Sequence, residues 1–66
     1  MIKLVETVTQ YGTSWQKRHY MDGKRVSEAE WMDTFNNVYK TPDDVANARC
    51  DVKKTGSHKV QYTWYA

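Results

Sequence analysis

The stretch Met21–Phe35, MDGKRVSEAEWMDTF, combines a tight-turn signal, a helix start and the first apolar residues of a helix. Asp22-Gly23 favours a type I′ turn, because both central residues of that turn need positive φ angles, which Gly and Asp tolerate. Ser27 is a favourable N-cap, and Glu30 three positions later has the spacing of a capping box. The stretch therefore predicts a turn followed directly by a helix.

The residues after this start have the apolar period of an amphipathic helix. The apolar side chains that share one helical stripe are Trp31, Met32, Phe35, Val38 and Tyr39. Thr41-Pro42 ends the helix, because proline disfavours the helical conformation at the residue before it. Thr41 is also a suitable N-cap for a second helical segment, so we expect a short helical turn through Val45 to Ala48.

Segments on both sides of the helix have the patterns of strands. We assign strands to residues 2–10, 15–21, 49–54 and 59–65. In the last of these, Val60, Tyr62 and Trp64 share one face. The pattern predicts an α+β fold over residues 1–66 as one small domain: a four-stranded antiparallel sheet in the order β-β-α-β-β, with one main helix packed on one face. Glu6 interrupts the apolar face of the first strand, which suggests either an edge strand or a strand that is open at that point.

The predicted core lies between the helix stripe and the inward strand positions. It contains Leu4, Val8, Trp31, Met32, Phe35, Val38, Cys50, Val52, Val60, Tyr62 and Trp64. A chain of this length buries only about 60% of its unfolded surface, so its stability margin is small. Three Trp, five Tyr and one Phe help to offset this, because each aromatic side chain buries a large area.

The composition also limits the class of protein. A single cysteine excludes an internal disulfide framework. The longest apolar runs are only a few residues, and no signal peptide or lipidation motif stands out, so we expect a cytoplasmic protein that does not insert into a membrane.

The residues that could perform chemistry do not form a recognisable constellation. His19, Cys50 and His58 have no metal-ligand spacing, and a structural zinc site needs four ligands. No glycine-rich phosphate loop is present, and the acidic residues lie where helix starts favour negative charge. We therefore predict that the protein is not an enzyme and has no cofactor and no metal site.

The charges are unevenly distributed along the chain. Residues 1–25 carry five Lys or Arg against two acids, residues 26–47 carry one against five, and residues 48–66 carry four against one. If the helix covers one face of the sheet, the other face displays Lys3, Arg18, Tyr20, Arg49, Lys53, Gln61, Thr63 and Tyr65. Basic side chains between tyrosines can contact phosphates and stack on bases. A solvated sheet face is also polar without any partner, and an acidic helix repels nucleic acid.

Binding to another protein is the first hypothesis from the sequence. Tyr, Trp, Met and Arg dominate the energetics of protein interfaces, and the chain has more aromatic residues than a one-helix core needs. The last strand could also pair through an open edge with another chain, including a second copy in a homodimer. The candidate partner-binding residues are Lys3, Tyr11, Arg18, Tyr20, Arg49, Lys53 and Tyr65. Nucleic acid, bound by the basic sheet face, is the alternative partner.

The segment from Tyr20 to Trp31, YMDGKRVSEAEW, resembles the strand–turn–capped-helix segment of small accessory proteins from bacteriophages and prophages. It covers less than a fifth of the chain and transfers no site residues. The resemblance implies a small cytosolic protein of phage origin that binds and modulates a host protein, or that accompanies nucleic-acid transactions.

Overall fold

The computed structural model describes residues 2–66, which form a five-stranded antiparallel sheet and two helices. The strands are β1 (Lys3–Tyr11), β2 (Ser14–Met21), β3 (Lys24–Val26), β4 (Arg49–Gly56) and β5 (Lys59–Tyr65). The helices are α1 (Glu28–Val38) and α2 (Pro42–Ala46). The strand order in the sheet is β3-β2-β1-β5-β4. The prediction of an antiparallel α+β fold with one main helix is confirmed.

The prediction of four strands is wrong, because the short strand β3 was missed. Asp22 and Gly23 have φ angles of 49° and 85°, as a type I′ turn requires. This turn reverses the chain, so that β3 pairs with the end of β2 before the helix begins. The Asp-Gly signal therefore specifies a complete hairpin.

Two expectations about strand edges are also wrong. β1 is the central strand of the sheet, although Glu6 suggested an edge. β5 is paired on both sides, by β1 and β4, so its edge is not open. The outer strands are β3 and β4, and β4 ends in an irregularity between Lys54 and Gly56.

Local capping sets the limits of both helices. The Ser27 hydroxyl accepts a hydrogen bond from the Glu30 N–H (3.2 Å), as predicted. The return bond, in which the Glu30 carboxylate would accept from the Ser27 N–H, is not formed among residues 2–66. The complete capping box is at α2, where Thr41 and Asp44 each accept a hydrogen bond from the other's backbone N–H. α2 starts at Pro42 and stops at Ala46, two residues before the predicted end.

Aromatic contacts attach α1 to one face of the sheet. The Trp31 ring centroid lies 5.0 Å from that of His19 on β2, and the Phe35 centroid lies 5.0 Å from that of Trp64 on β5. The helix therefore runs across the strands, from β2 towards β5. We call the sheet face under α1 the helix-side face and the opposite face the open face.

The core is smaller than predicted. Leu4 and Trp31 are buried as expected, and Val8, Phe35, Cys50, Val60, Tyr62 and Trp64 are half-buried. The predicted core residues Met32, Val38 and Val52 are exposed. They are exposed because α1 crosses only part of the sheet: Val52 lies on the outer strand β4, and Met32 lies on a flank of the helix.

Three buried residues were not predicted: Val5, His19 and Thr63. Val5 and Thr63 are cross-strand partners on the open face, and Tyr20 lies opposite Val5 on the other side. His19 lies under Trp31, and its Nε2 is 2.9 Å from Oε2 of Glu6 on the neighbouring strand. This polar pair explains how Glu6 is accommodated in the central strand, since a buried polar group must find a partner.

The burial pattern predicts different costs for two apolar truncations. Leu4→Ala should lower the free energy of unfolding by about 2–5 kcal/mol, because it leaves a cavity at a fully buried position. Val52→Ala, at a residue that is 64% exposed, should change it by no more than about 0.5 kcal/mol. Urea denaturation followed by circular dichroism measures both, and equal costs for the two variants would contradict the core described here.

Candidate functional site

The register of the sheet places all seven candidate residues on the open face. Lys3, Tyr65 and Arg49 form one cross-strand row, and Tyr20 lies in the next row with Val5 and Thr63. A third row contains Arg18, Thr7, Gln61 and Lys53. Tyr11 lies at the far end of β1 and is 58% exposed. Residues that alternate along separate strands are thus brought to one surface, because cross-strand partners point to the same side of a sheet.

Two further cations on this face were missed by the sequence reasoning. Arg25 is the cross-strand partner of Tyr20, and it was overlooked because β3 was overlooked. Lys59 is the partner of Thr9 at the start of β5, and the period of two along this strand could have identified it. All six cations on the open face are exposed: Lys3, Arg18, Arg25, Arg49, Lys53 and Lys59.

The acidic residues near the open face are few, and both interact with neighbours. Asp51, on β4, lies 3.7 Å from the Arg49 guanidinium. Asp22, in the β2–β3 turn, accepts a hydrogen bond from the Lys3 N–H (2.9 Å). Glu28, Glu30 and Asp33 belong to α1, which packs on the helix-side face. The open face is therefore strongly positive although the whole chain has a formal charge of only +2.

A shallow polar depression occupies the part of the open face nearest the β1–β2 turn. Its lining residues are Thr7, Thr9, Tyr11, Gln16, Arg18, Tyr20, Thr55, Lys59 and Gln61. They supply hydroxyl and amide groups, which donate and accept hydrogen bonds, beside two cations and two aromatic rings. The depression can therefore contact a planar polar group and an anion at the same time.

Arg49 and Tyr65 form a separate pair at the other end of the open face. The Arg49 guanidinium carbon lies 4.4 Å from the centroid of the Tyr65 ring, in a cation–π arrangement. This contact covers one face of Tyr65. Tyr11 is exposed, whereas Tyr20 and Tyr65 are both half-buried, so Tyr11 is the most accessible stacking position of the three.

The helix-side face carries a second, apolar surface. α1 covers the sheet around Leu4, His19 and Trp64, and it leaves the far ends of the strands uncovered. We call this uncovered region the helix-side end, and its residues are Val8, Trp15, Val52, Val60 and Tyr62. Trp15 is 63% exposed and Val52 is 64% exposed. Trp15 on β2 and Val52 on β4 lie at opposite corners of this region, with the half-buried Val8, Val60 and Tyr62 between them. An exposed apolar surface commonly marks an interaction site.

The lone cysteine lies on the helix-side face beside α1. Burial, together with the negative charge of Asp51, raises the pKa of the Cys50 thiol, although a hydrogen bond with the backbone of Thr63 opposes this. Burial and the proximity of Cys50 also raise the pKa of the Tyr39 hydroxyl, which donates a hydrogen bond to the Tyr65 carbonyl (3.2 Å). Within residues 2–66, no three His, Cys, Asp or Glu side chains are grouped so that they could hold a metal ion.

The raised pKa predicts low reactivity for Cys50. The thiolate is the reactive form, so at neutral pH iodoacetamide should alkylate Cys50 more slowly in the folded protein than in the same chain unfolded in urea. The rate should keep rising at pH values above about 8.5, the ordinary thiol pKa. Mass spectrometry of timed samples measures the rates. Equal rates in folded and unfolded protein would contradict the placement of Cys50.

No helix within residues 2–66 has both the length and the apolar character needed to cross a membrane. The chain was compared with models of protein families, with curated proteins and with solved structures, and none of the three comparisons gave a match.

Proposed function

We propose that the protein is a non-catalytic binding protein that binds single-stranded nucleic acid on its open face. The observation that carries the proposal is the placement of six exposed cations, the exposed ring of Tyr11 and the half-buried ring of Tyr20 on one side of the sheet. The sequence alone favoured a protein partner. Because the cations share one face, they can contact the phosphate backbone of one strand, and cations scattered over the molecule could not. Nucleic acid therefore becomes the preferred partner and another protein the second candidate.

The charges suit a phosphate backbone better than an isolated anion. Arg18, Lys53 and Lys59 lie on three different strands, so they are spread across the sheet rather than gathered at one point. Contacts between such cations and phosphates release counterions from the nucleic acid, and this release provides most of the affinity in sequence-independent binding.

The tyrosines favour a single strand over a duplex. An unpaired base can stack on an aromatic side chain, whereas the bases of a duplex are stacked on each other. Gln16 and Gln61 line the same depression as Tyr20, and their amide groups can donate and accept hydrogen bonds with base edges. The depression therefore supplies contacts for a base next to contacts for its phosphate.

The acidic residues of α1 do not oppose this mode of binding strongly. α1 packs on the helix-side face, and a second packed layer lies about 10 Å from a sheet. Charges in solution are screened over about 8 Å at physiological ionic strength. A strand on the open face is thus separated from Glu28 and Asp33 by the sheet and by screening.

Two neighbouring lysines on β4 provide a matched test. Lys53 is on the open face opposite Gln61, whereas Lys54 is on the helix-side face opposite Val60. Lys53→Ala should weaken binding of a fluorescent oligo(dT) or oligo(U) strand and reduce the slope of log K against log salt by about 0.7, the value of one phosphate contact. Lys54→Ala should leave both quantities unchanged.

Fluorescence anisotropy between about 50 and 200 mM salt measures these affinities. Equal effects of the two alanine variants would contradict binding on the open face. No binding of either oligonucleotide at the lowest salt concentration would contradict the proposed function.

A second candidate function is binding to another protein through the helix-side end. The exposure of Trp15 and Val52 supports it, because aromatic and aliphatic side chains anchor protein interfaces. The resemblance to phage accessory proteins suggests a host protein as the partner. Affinity capture from nuclease-treated bacterial lysate tests it: a host protein retained by the native chain should be lost with Trp15→Glu, and a capture that is unchanged would count against this surface.

A further inference from the structure

The polar depression on the open face extends along the central strand β1. Thr7 and Thr9 form its floor, and both are half-buried. In the register of the sheet, a long polar side chain lies on either side of each threonine. The flanking residues are Arg18 and Gln61 beside Thr7, and Gln16 and Lys59 beside Thr9. The short side chains of one strand thus lie between the long side chains of its two neighbours, so the depression is parallel to β1.

A tyrosine lies at each end of this part of β1. Tyr20 is opposite Val5 in the register of β1 and β2, and Tyr11 is the last residue of β1. The positions of Val5 and Tyr11 are about 20 Å apart along the strand, at about 3.4 Å per residue. Both tyrosines line the depression. The depression therefore offers two stacking positions that are too far apart to hold the same base.

Each tyrosine has a cation beside it, towards the middle of the depression. Arg18 lies two residues before Tyr20 on β2. Lys59 is opposite Thr9, which lies two residues before Tyr11 on β1. A spacing of two residues is about 7 Å along a strand. Each end of the depression can thus hold a base on an aromatic ring and the phosphate of that nucleotide at a cation.

We infer that a single strand of nucleic acid lies lengthwise along β1, with one base on Tyr20 and another on Tyr11. The inference rests on the function proposed above, and it specifies the path of the strand and the length of the site. A stacked strand rises about 3.4 Å per nucleotide, so a distance of about 20 Å takes at most about six steps. A strand of eight nucleotides is therefore long enough to occupy both stacking positions.

Paths across the strands offer fewer contacts. The cross-strand row of Tyr20 ends at Asp51 on β4, whose negative charge repels a phosphate. The row of Thr7 contains cations but no aromatic ring. In the row of Tyr65, the Arg49 guanidinium covers one face of the ring. The direction along β1, in contrast, joins the two tyrosines that line the depression.

Two tyrosine variants test the path with an eight-nucleotide oligo(dT) strand in fluorescence anisotropy. Tyr11→Ala should raise the dissociation constant at least about fivefold, because the loss of one base–aromatic stack costs at least this factor. Tyr65→Ala is the matched control, since Tyr65 is also on the open face but does not line the depression, and it should leave the dissociation constant unchanged. Circular dichroism checks that both variants are folded.

A nitroxide label on the oligonucleotide tests the path in the native chain. The methyl groups of Val5 and Thr9 lie at the Tyr20 end and near the Tyr11 end of the depression. In NMR spectra, a label on the 5′ end of the strand should broaden one of these two methyl resonances more than the other. Moving the label to the 3′ end should reverse the order, because the two ends of a lengthwise strand lie at opposite ends of the depression.

The two experiments separate failure of the path from failure of the proposed function. Equal dissociation constants for Tyr11→Ala and the native chain would overturn the lengthwise path, and so would broadening that does not change order when the label is moved. In both cases the native chain still binds the strand. No binding of the eight-nucleotide strand by the native chain at about 50 mM salt would instead overturn the proposed function, and the path with it.

Discussion

The packing of α1 against the sheet through its aromatic side chains is the interaction on which the rest of the structure depends. Trp31 and Phe35 stack on each other with ring centroids 5.3 Å apart, and they contact His19 and Trp64 on different strands. These contacts bury the centre of the helix-side face and fix the direction of α1 across the strands. The indole N–H of Trp31 is buried without a hydrogen-bond acceptor among residues 2–66, so packing must offset its desolvation.

A single helix divides the surface of this sheet into regions of different character. The open face remains solvated and carries six of the basic residues from the two ends of the chain, whereas Lys17 and Lys54 lie on the helix-side face. The helix-side end remains apolar because α1 is narrower than the strands are long. The uneven charge along the sequence thus becomes a difference between the two sides of the sheet, with the acids of α1 on one side and the six cations on the other. The proposed functions follow from this division, since each surface suits a partner of different chemistry.

The sequence predicted the features that depend on local patterns. The Asp22-Gly23 turn, the Ser27 cap and the alternation of Arg18 and Tyr20 with Lys17 and His19 were all readable from spacing. The missed strand β3 was too short to show an alternation of its own. The exposure of Val52 depends on strand order, and the burial of His19 depends on its pairing with Glu6 across two strands. Such properties arise from the assembled sheet, so no local pattern could reveal them. Six of the seven candidate residues were placed on one face correctly, because alternation alone determines the face. Tyr11 lay outside the predicted first strand, and the structure places it at the end of β1.

The central claim is that the open face, and not the helix-side face, binds a single nucleic-acid strand. Methyl groups on β1 and β5 report directly on the two faces, because Thr7, Thr9 and Thr63 point to the open face and Val8 and Val60 to the helix-side face. In a methyl NMR titration with oligo(dT) or oligo(U), the resonances of Thr7 and Thr9 should shift on binding, while those of Val8 and Val60 should remain in place. Shifts confined to Val8 and Val60, or no shifts at all, would contradict the account.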